Sequence, residues 1–201
     1  MHQEIEIEFK NIITKDEYSR LLKAFQHTAD EGVIQINHYL DTPDFHLKQN
    51  GCALRIREKN KAYQLTLKQP AGEGLLETHE TILQSDMNRI LDEGRLLDGG
   101  ISSVLKTSLN IDPTTVQYFG SLTTNRVQFS YENGLLVLDE SNYLGVTDYE
   151  LEYEASSFKE GKIVFERLLH KYEIPIRPTK NKIVRFYEQK KALEGDYKHE
   201  S

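Results

Sequence analysis

The chain has 201 residues, a formal net charge of −7, one cysteine, and 38% hydrophobic and 28% charged residues. This length suits one sizeable core, so we expect a single domain over residues 1–201. The negative total argues against a nucleic-acid partner, and the lone Cys52 excludes an internal disulfide framework and fits a reducing compartment. No stretch approaches the ~20 apolar residues of a membrane span, which predicts a cytoplasmic protein with no membrane partner.

The first half of the chain predicts five strands and one helix. Residues 4–10 alternate charged and apolar side chains, which is typical of a strand with one apolar face. Thr14 and Glu17 form a capping-box pattern ahead of apolar residues at helical spacing, which predicts a helix. Four further strands are predicted at 33–40, 53–58, 62–68 and 75–83, with a turn at Asn60-Lys61 between the second and third of these.

The second half predicts a helical region, then four strands, then two helices. Residues 85–109 have a helical pattern interrupted near Gly99-Gly100, and Ser157 with Glu160 caps a helix that continues to about Tyr172. The predicted strands are 116–122, 125–131, 135–140 and 148–154, Asn133-Gly134 is a predicted hairpin turn, and residues 182–194 form the last predicted helix. Eight or nine strands with helices inserted at the ends indicate an α+β barrel.

The polar faces of these strands separate by the sign of their charge. Arg55 and Arg57 share one face of their strand, and Arg126 lies on the polar face of another, whereas 4–10 and 148–154 present mainly carboxylates. One interpretation is a solvated outer face. The other is a closed barrel with the charges inside, where cations and carboxylates would hold an anionic chain and a divalent metal. Periodicity alone leaves both open.

A series of short segments in a fixed order adds a second kind of information. Glu6-Ile7-Glu8-Phe9-Lys10 has the pattern ExExK, and Leu54-Arg55-Ile56-Arg57 has the pattern LRxR. The other segments are Tyr39-Leu40-Asp41-Thr42-Pro43-Asp44, Leu65-Thr66-Leu67-Lys68, Glu80, Thr124-Asn125-Arg126, Leu138-Asp139, Glu150-Leu151-Glu152, Lys182 and Arg185. From Glu4 to about Arg185 this ordered set resembles the CYTH superfamily, also called the triphosphate tunnel metalloenzymes, to which the inorganic triphosphatases, thiamine triphosphatases, RNA triphosphatases and class IV adenylate cyclases belong.

The resemblance implies an α+β fold in which a closed eight-stranded antiparallel β-barrel forms a triphosphate tunnel, with helices packed outside. It also implies Mg²⁺ or Mn²⁺ as the cofactor. The implied substrate-binding residues are Lys10, Arg55, Arg57, Lys68, Arg126, Lys182 and Arg185. The implied metal ligands are Glu6, Glu8, Asp139, Glu150 and Glu152, with Glu80 in support. The residues expected to be catalytic are Glu6, Glu8, Lys10, Glu150 and Glu152.

Several positions have two interpretations. Lys180 is an alternative to Lys182 as the tunnel lysine, and Arg185 either contacts the substrate or reaches only the tunnel mouth. Glu4 and Glu154 extend the acidic strands beyond the motifs. His38 and His79 are interpreted as structural rather than as proton carriers.

The expected function is metal-dependent hydrolysis of a triphosphate. Inorganic tripolyphosphate is the expected substrate, because Ala53 occupies the position where the thiamine triphosphatases carry an aromatic residue. Thiamine triphosphatase or adenylate cyclase activity on the same site remains an alternative, and so does a non-catalytic sensor of polyphosphate or nucleotide. The intact carboxylate set favours an enzyme over a sensor. We expect a monomer or homodimer that acts on a small molecule.

Overall fold

The computed structural model of the protein describes residues 1–196; the end of the domain expected over residues 1–201, at 197–201, lies outside that part of the chain. The strands are β1 His2–Ile13, β2 Val33–Asp41, β3 Ala53–Lys59, β4 Ala62–Ala71, β5 Gly74–Ile82, β6 Gln117–Tyr131, β7 Gly134–Tyr143 and β8 Val146–Ala155. The helices are α1 Lys15–Ala24, α2 His46–Gln49, α3 Gln84–Glu93, α4 Gly100–Ser108, α5 Phe158–Lys171 and α6 Lys182–Asp196. In residues 1–196, no helix has the length and apolar character needed to cross a membrane.

The eight strands form one closed barrel in the order β1-β5-β4-β3-β2-β6-β7-β8, and every neighbouring pair is antiparallel. Strand β1 completes the ring, since its residues 2–6 pair with β5 and its residues 7–13 pair with β8. In a ring of eight, strands four places apart lie on opposite walls. Strand β3 therefore faces β8 across the lumen.

The barrel has its apolar face outside and its charged face inside. Leu54 and Ile56 of β3 are fully buried in a cluster with residues of α3 and α4, while the alternating Arg55 and Arg57 line the lumen. A second cluster packs α1 and α5 against the outer side of β7 and β8. The outer sheet face is thus the hydrophobic core, which confirms the α+β closed barrel with helices packed outside.

Two of the predicted strands are one strand in the structure. Residues 116–122 and 125–131 were separated in the prediction, whereas β6 continues from Gln117 to Tyr131. Its pairing with β2 shifts register between Tyr39 and Leu40, opposite Gly120, whose φ is +144°. A bulge bends a strand without ending it, and glycine is the residue that adopts such a φ without strain.

The turn and helix boundaries also differ from their predictions in two places. The β6–β7 turn residues are Glu132 and Asn133, and Gly134 pairs with Tyr131 to begin β7. Only glycine fits there, because a Cβ on Gly134 would lie 2.4 Å from the carbonyl oxygen of Glu154. The predicted helix 85–109 is two helices. Its break begins at Gly94, with φ of +64°, rather than at the Gly99-Gly100 pair.

A strap formed by residues 175–181 runs along β1 and brings α6 across one end of the barrel. Asn11 anchors it twice, donating from Nδ2 to the carbonyl of Pro175 at 3.0 Å and accepting from the Arg177 backbone N–H at 2.7 Å. The Ile12 backbone N–H donates to Thr179 Oγ1 at 2.7 Å. The first turns of α6 therefore have a fixed position over the lumen.

Arg177 of the strap also forms a paired contact with α1. Its two terminal nitrogens donate to the Glu17 carboxylate at 2.8 and 2.9 Å. Hydrogen bonding from Arg177, opposed by burial, lowers the pKa of Glu17 below its ordinary 4.5. A carboxylate with a lowered folded-state pKa stabilises the protein above its unfolded-state pKa, and that contribution disappears as the pH falls.

Glu17→Gln should therefore lower the free energy of unfolding by about 1–3 kcal/mol at pH 7, the value of a charged hydrogen-bonded contact. The difference from the wild type should be complete above pH 4.5 and shrink below it, as Glu17 protonates. Urea unfolding at several pH values measures this. A difference that stays constant down to pH 3 would show that the Glu17 charge is not the cause.

Candidate functional site

The lumen is a cavity of about 310 Å³ lined by inward-facing side chains of the barrel strands and the start of α6. It brings together ten of the predicted site residues: Glu6, Glu8, Lys10, Arg55, Arg57, Lys68, Arg126, Glu150, Glu152 and Lys182. Asp139 lies completely buried behind this lining and contacts two of the lumen cations. Glu4 and Glu154, which extend the acidic strands, also line the cavity.

Arg126 is enclosed by carboxylates on the β6–β8 wall. Its Nε and Nη2 donate to the two Asp139 oxygens at 2.8 and 2.6 Å, and Nη2 also donates to Glu152 at 2.7 Å. Although burial opposes the charge, Asp139 and Glu152 hold the pKa of Arg126 well above its ordinary value. This fork fixes both carboxylates in position.

Two lysines pair with the carboxylates of β1. Lys10 donates to Glu8 at 2.9 Å, and Lys68 of β4 lies 2.5 Å from Glu6. Lys68 also pairs with Glu77 of β5, its direct cross-strand neighbour. Burial raises the pKa of Glu77, but Lys68 and Arg55 outweigh burial and lower it to about 2.

Arg55 and Arg57 differ from the other lumen cations. Within residues 1–196, no carboxylate lies within 4.0 Å of either guanidinium, and the buried Nε of Arg55 makes no hydrogen bond. Arg57 Nε donates only to the neutral Asn37 side chain at 3.3 Å. Burial, together with Arg55 and Arg126, lowers the pKa of Arg57 to about 9. This wall therefore presents cationic donors that remain available to an anion.

The structure separates the two lysine candidates. Lys182 Nζ lies in the lumen, 2.9 Å from Asp139 and 2.5 Å from Glu150, and also contacts Glu152. Lys180 lies on the surface and pairs with Glu188 at 2.6 Å. The lumen lysine is therefore Lys182.

Arg185 lies one helical turn further along α6, beyond the lumen lining. Its Nε is 2.9 Å from Asp148 and its Nη1 is 2.5 Å from Glu150. Burial lowers the pKa of Arg185, but Glu150 and Asp148 outweigh burial and raise it overall. Arg185 thus closes the same end of the barrel as Lys182 and reaches the site through Glu150.

Glu80 is the predicted site residue that the structure places elsewhere. Its side chain points out of the barrel and accepts the Ile101 backbone N–H at 3.0 Å, at the N-terminus of α4. Strand β5 presents Glu77 and His79 to the lumen instead, because residues two apart share a face. The prediction of Glu80 as a lumen carboxylate is therefore wrong for geometric reasons, and the carboxylate that β5 presents to the lumen is Glu77.

His79 takes part in a small network at the lumen end formed by β1 and β5. Its Nε2 is 3.1 Å from Glu4 and 3.3 Å from Glu77, and these ligand-type atoms lie within 4.8 Å of one another. Its Nδ1 is 3.0 Å from Thr66 Oγ1. By contrast, His38 faces outward and its Nδ1 is 2.7 Å from Ser121 Oγ. His38 is outside the site, as the structural interpretation predicts.

Burial raises the pKa of two lumen carboxylates of β8, Glu150 and Glu154. Desolvation raises the pKa of Glu154 to about 7 against the opposing effect of Arg126, and the neighbouring Glu6, Glu152 and Glu8 raise it further. Burial also raises the pKa of Glu150, while Lys182 and Arg126 overcome burial and lower that of Glu152. A dense set of carboxylates in a desolvated lumen accepts cations readily, because a cation relieves their mutual repulsion.

Comparison with known proteins identifies this arrangement. The CYTH domain family model matches residues 4–187. A Bacillus subtilis (strain 168) protein named "Putative triphosphatase YjbK" is 50% identical over 192 residues, which are 95% of this chain and 98% of that protein.

Solved structures agree with the family match. A Bacillus halodurans protein described as a "putative adenylate cyclase" is 39% identical, with a TM-score of 0.89 over 93% of this chain and 100% of its own. The Hippeastrum protein HpAC1 is 23% identical, with a TM-score of 0.74 over 92% of this chain and 95% of its own, and supports the fold alone. With a family match over nearly the whole chain, the predicted charge pattern inside a closed barrel, and a half-identical relative, this chain belongs to the CYTH domain family.

Proposed function

We propose that this protein hydrolyses a triphosphate inside the barrel lumen with a divalent metal ion, and that inorganic tripolyphosphate is its preferred simple substrate. The observation that carries the proposal is the pair Arg55 and Arg57, which face the Glu150–Glu152 wall across a closed lumen without a carboxylate partner in the described chain. The name of the half-identical Bacillus subtilis relative supports the same reaction class.

The carboxylates of β1, β7 and β8 fit a hard divalent cation. The proposed ligands are carboxylates only, and they come from three strands that are neighbours in the barrel: Glu6 and Glu8 of β1, Asp139 of β7, and Glu150 and Glu152 of β8. Carboxylate oxygens are the ligands that Mg²⁺ and Mn²⁺ prefer. When bound, such an ion neutralises phosphate charge and lowers the pKa of water.

The chain's own residues bind and orient the anion. Guanidinium forks match the geometry of phosphate oxygens, which makes Arg55 and Arg57 the proposed primary contacts, and Arg126 is held nearby by its fork to Asp139. The lysines Lys10 and Lys68 add point charges at β1 and β4. Phosphoryl transfer demands mainly positioning and charge neutralisation, so this set needs no covalent nucleophile.

The preference for tripolyphosphate rests on the lumen surface. In residues 1–196, Tyr39 is the only Phe, Tyr or Trp side chain that lines the cavity, and its ring packs against Phe186 with centroids 5.8 Å apart. Ala53 lines the lumen beside the arginines. A nucleotide or thiamine ring usually binds through stacking on an aromatic surface, for which this lining provides little support.

A direct assay tests the proposal. Purified protein with Mg²⁺ or Mn²⁺ is given tripolyphosphate, ATP and thiamine triphosphate, and both phosphate and cyclic AMP are measured. We expect phosphate release with the highest kcat/KM for tripolyphosphate. A preference of tenfold or more for either organic substrate, about 1.4 kcal/mol, would contradict the proposed specificity. Formation of cyclic AMP would establish the cyclase reaction, and binding without turnover would establish a sensor.

The Glu77–Glu80 pair offers a matched test of the site boundary. Glu77→Gln should lower kcat/KM for tripolyphosphate by about tenfold or more, at least 1.4 kcal/mol, because it removes one of the two carboxylates that hold Lys68. Glu80→Gln should leave kcat/KM unchanged and lower the stability by about 0.3–1 kcal/mol, the value of a charge at a helix N-terminus. A loss of kcat/KM in Glu80→Gln but not in Glu77→Gln would show that Glu80 belongs to the site and Glu77 does not.

A further inference from the structure

Lys182 lies where three carboxylates converge. Its ammonium is 2.9 Å from Asp139 and 2.5 Å from Glu150, and it also contacts Glu152. The exposed fractions of these three carboxylate residues are 0%, 1% and 3%, so solvent screens the contacts very little. Burial opposes the charge, but the carboxylates hold the pKa of Lys182 well above its ordinary value.

The same three carboxylates are the β7 and β8 part of the proposed metal ligand set. A divalent ion that takes their oxygens as ligands must compete with the ammonium, since both cations need the same lone pairs and repel each other at short distance. Arg126 takes a different part of this carboxylate set. It donates to both Asp139 oxygens and to Glu152 Oε2 from β6, where it is the cross-strand neighbour of Asp139. Lys182 is the cation on Glu150 Oε1 and Glu152 Oε1, which Arg126 does not bond.

The backbone beneath Lys182 is anchored, while its side chain is long. The strap is tied to β1 by the Asn11 and Ile12 contacts, and Arg185 holds the first turns of α6 to Asp148 and Glu150. The lysine ammonium sits on a flexible four-carbon stem with rotatable bonds. It can therefore change partners within the lumen by side-chain rotation, without movement of the helix.

We propose that Lys182 is a tethered counter-ion that moves between the three carboxylates and the phosphate oxygens of a bound triphosphate. This inference rests on the proposed function. An arriving triphosphate attracts the ammonium away from Asp139, Glu150 and Glu152, and so exposes those oxygens to the metal. Metal and triphosphate then favour each other's binding, and by linkage the coupling is equal in both directions. In this role Lys182 is a positioning residue, because it controls when the three carboxylates are free to bind the metal.

Metal binding without any triphosphate tests this inference. The affinity for Mn²⁺ is measured by the loss of the free-ion EPR signal for the wild type, Lys182→Met and Lys180→Met. Lys180→Met is the matched control. It removes the same charge from Lys180, a surface lysine that lies two residues before Lys182 and pairs with Glu188. We expect Lys182→Met to bind Mn²⁺ at least tenfold more tightly than the wild type, and Lys180→Met to bind it as the wild type does.

The outcomes separate the inference from the proposed function. If the wild type binds Mn²⁺ and Lys182→Met binds it no more tightly, the counter-ion role is wrong and the metal-dependent function stands. If neither protein binds Mn²⁺, the proposed metal dependence fails and the inference fails with it. These readings need no turnover.

A measurement on the wild type covers the case in which Lys182→Met does not fold. Acetylation of Lys182 and Lys180 by acetic anhydride is followed by mass spectrometry with EDTA, with Mn²⁺, and with Mn²⁺ plus an imidotriphosphate that resists hydrolysis. Mn²⁺ alone should speed acetylation of Lys182 at least threefold, and the triphosphate analogue should protect it, while Lys180 stays constant. Equal rates of Lys182 acetylation in all three conditions would contradict the proposed movement of Lys182 between the carboxylates and the triphosphate.

Discussion

Removal of divalent metal should abolish tripolyphosphate hydrolysis, and Glu8→Gln should reduce kcat by at least about 100-fold. Mutation of a residue that only hydrogen-bonds to a metal ligand typically lowers metal affinity or activity by about 10–100-fold. Loss of a carboxylate that binds the metal directly should lower them at least as much. Glu8 lines the lumen and contacts Lys10 at 2.9 Å. The amide keeps the size of the side chain but loses the charge that attracts the ion. Steady-state kinetics over a range of Mg²⁺ and Mn²⁺ concentrations measure the effect.

Two features of that experiment identify the cause. In Glu8→Gln, the metal concentration at half-maximal rate should rise and the thermal midpoint should change little, because a lumen carboxylate contributes to the site rather than to the apolar outer core. Glu166→Gln on the exposed side of α5 is the matched control and should keep full activity. Full hydrolysis in excess EDTA would disprove the metal-dependent reaction.

Arg57→Ala should weaken triphosphate binding by about 2–5 kcal/mol, the usual cost of truncating one partner of a buried charge-assisted pair. Arg57 faces the lumen with Asn37 as its neutral partner, so its charge is available to phosphate. Arg20→Ala on the exposed side of α1 removes the same charge outside the barrel and should have little effect. Binding of the imidotriphosphate analogue, measured by calorimetry, compares the two variants.

Arg57→Ala should weaken binding without lowering the stability of the folded protein. Burial and the neighbouring Arg55 and Arg126 lower the pKa of Arg57 to about 9, which means that the folded protein holds this charge at a cost. Arg57→Ala should therefore have a thermal midpoint equal to or above that of the wild type, although it binds the analogue weakly. Equal losses of binding in Arg57→Ala and Arg20→Ala would mean that this wall does not contact the triphosphate.

Much of the site follows from the period of two along the strands. That period places Arg55 with Arg57, and Glu150 with Glu152, on single faces, and the ordered motifs predict the closed barrel that the structure confirms. Lys10, Lys68 and Arg126 follow in the same way, because each lies in a segment whose apolar and polar residues alternate clearly. These placements depend only on local backbone geometry, which neighbouring residues in the sequence determine.

Strand β5 shows where local pattern is insufficient. Residues 74–82 carry apolar and polar side chains on both faces, so alternation does not reveal whether Glu77 or Glu80 points into the lumen. The pairing decides it: Glu77 lies opposite Glu4 of β1 and Lys68 of β4, both of which line the cavity. A one-residue change of register would reverse every side chain, and the register here is set both by the hairpin with β4 and by the pairing with β1, which is distant in sequence.

The sequence by itself determined which residues carry the charges and which of them share a strand face. The tertiary structure decided which face is enclosed, that β3 lies opposite β8, and that Lys182 rather than Lys180 enters the lumen. The physical reason is that alternation records only the relative orientation of side chains within one strand. Whether a charged face meets water or another charged wall depends on ring closure and on the helices that bury the opposite, apolar face.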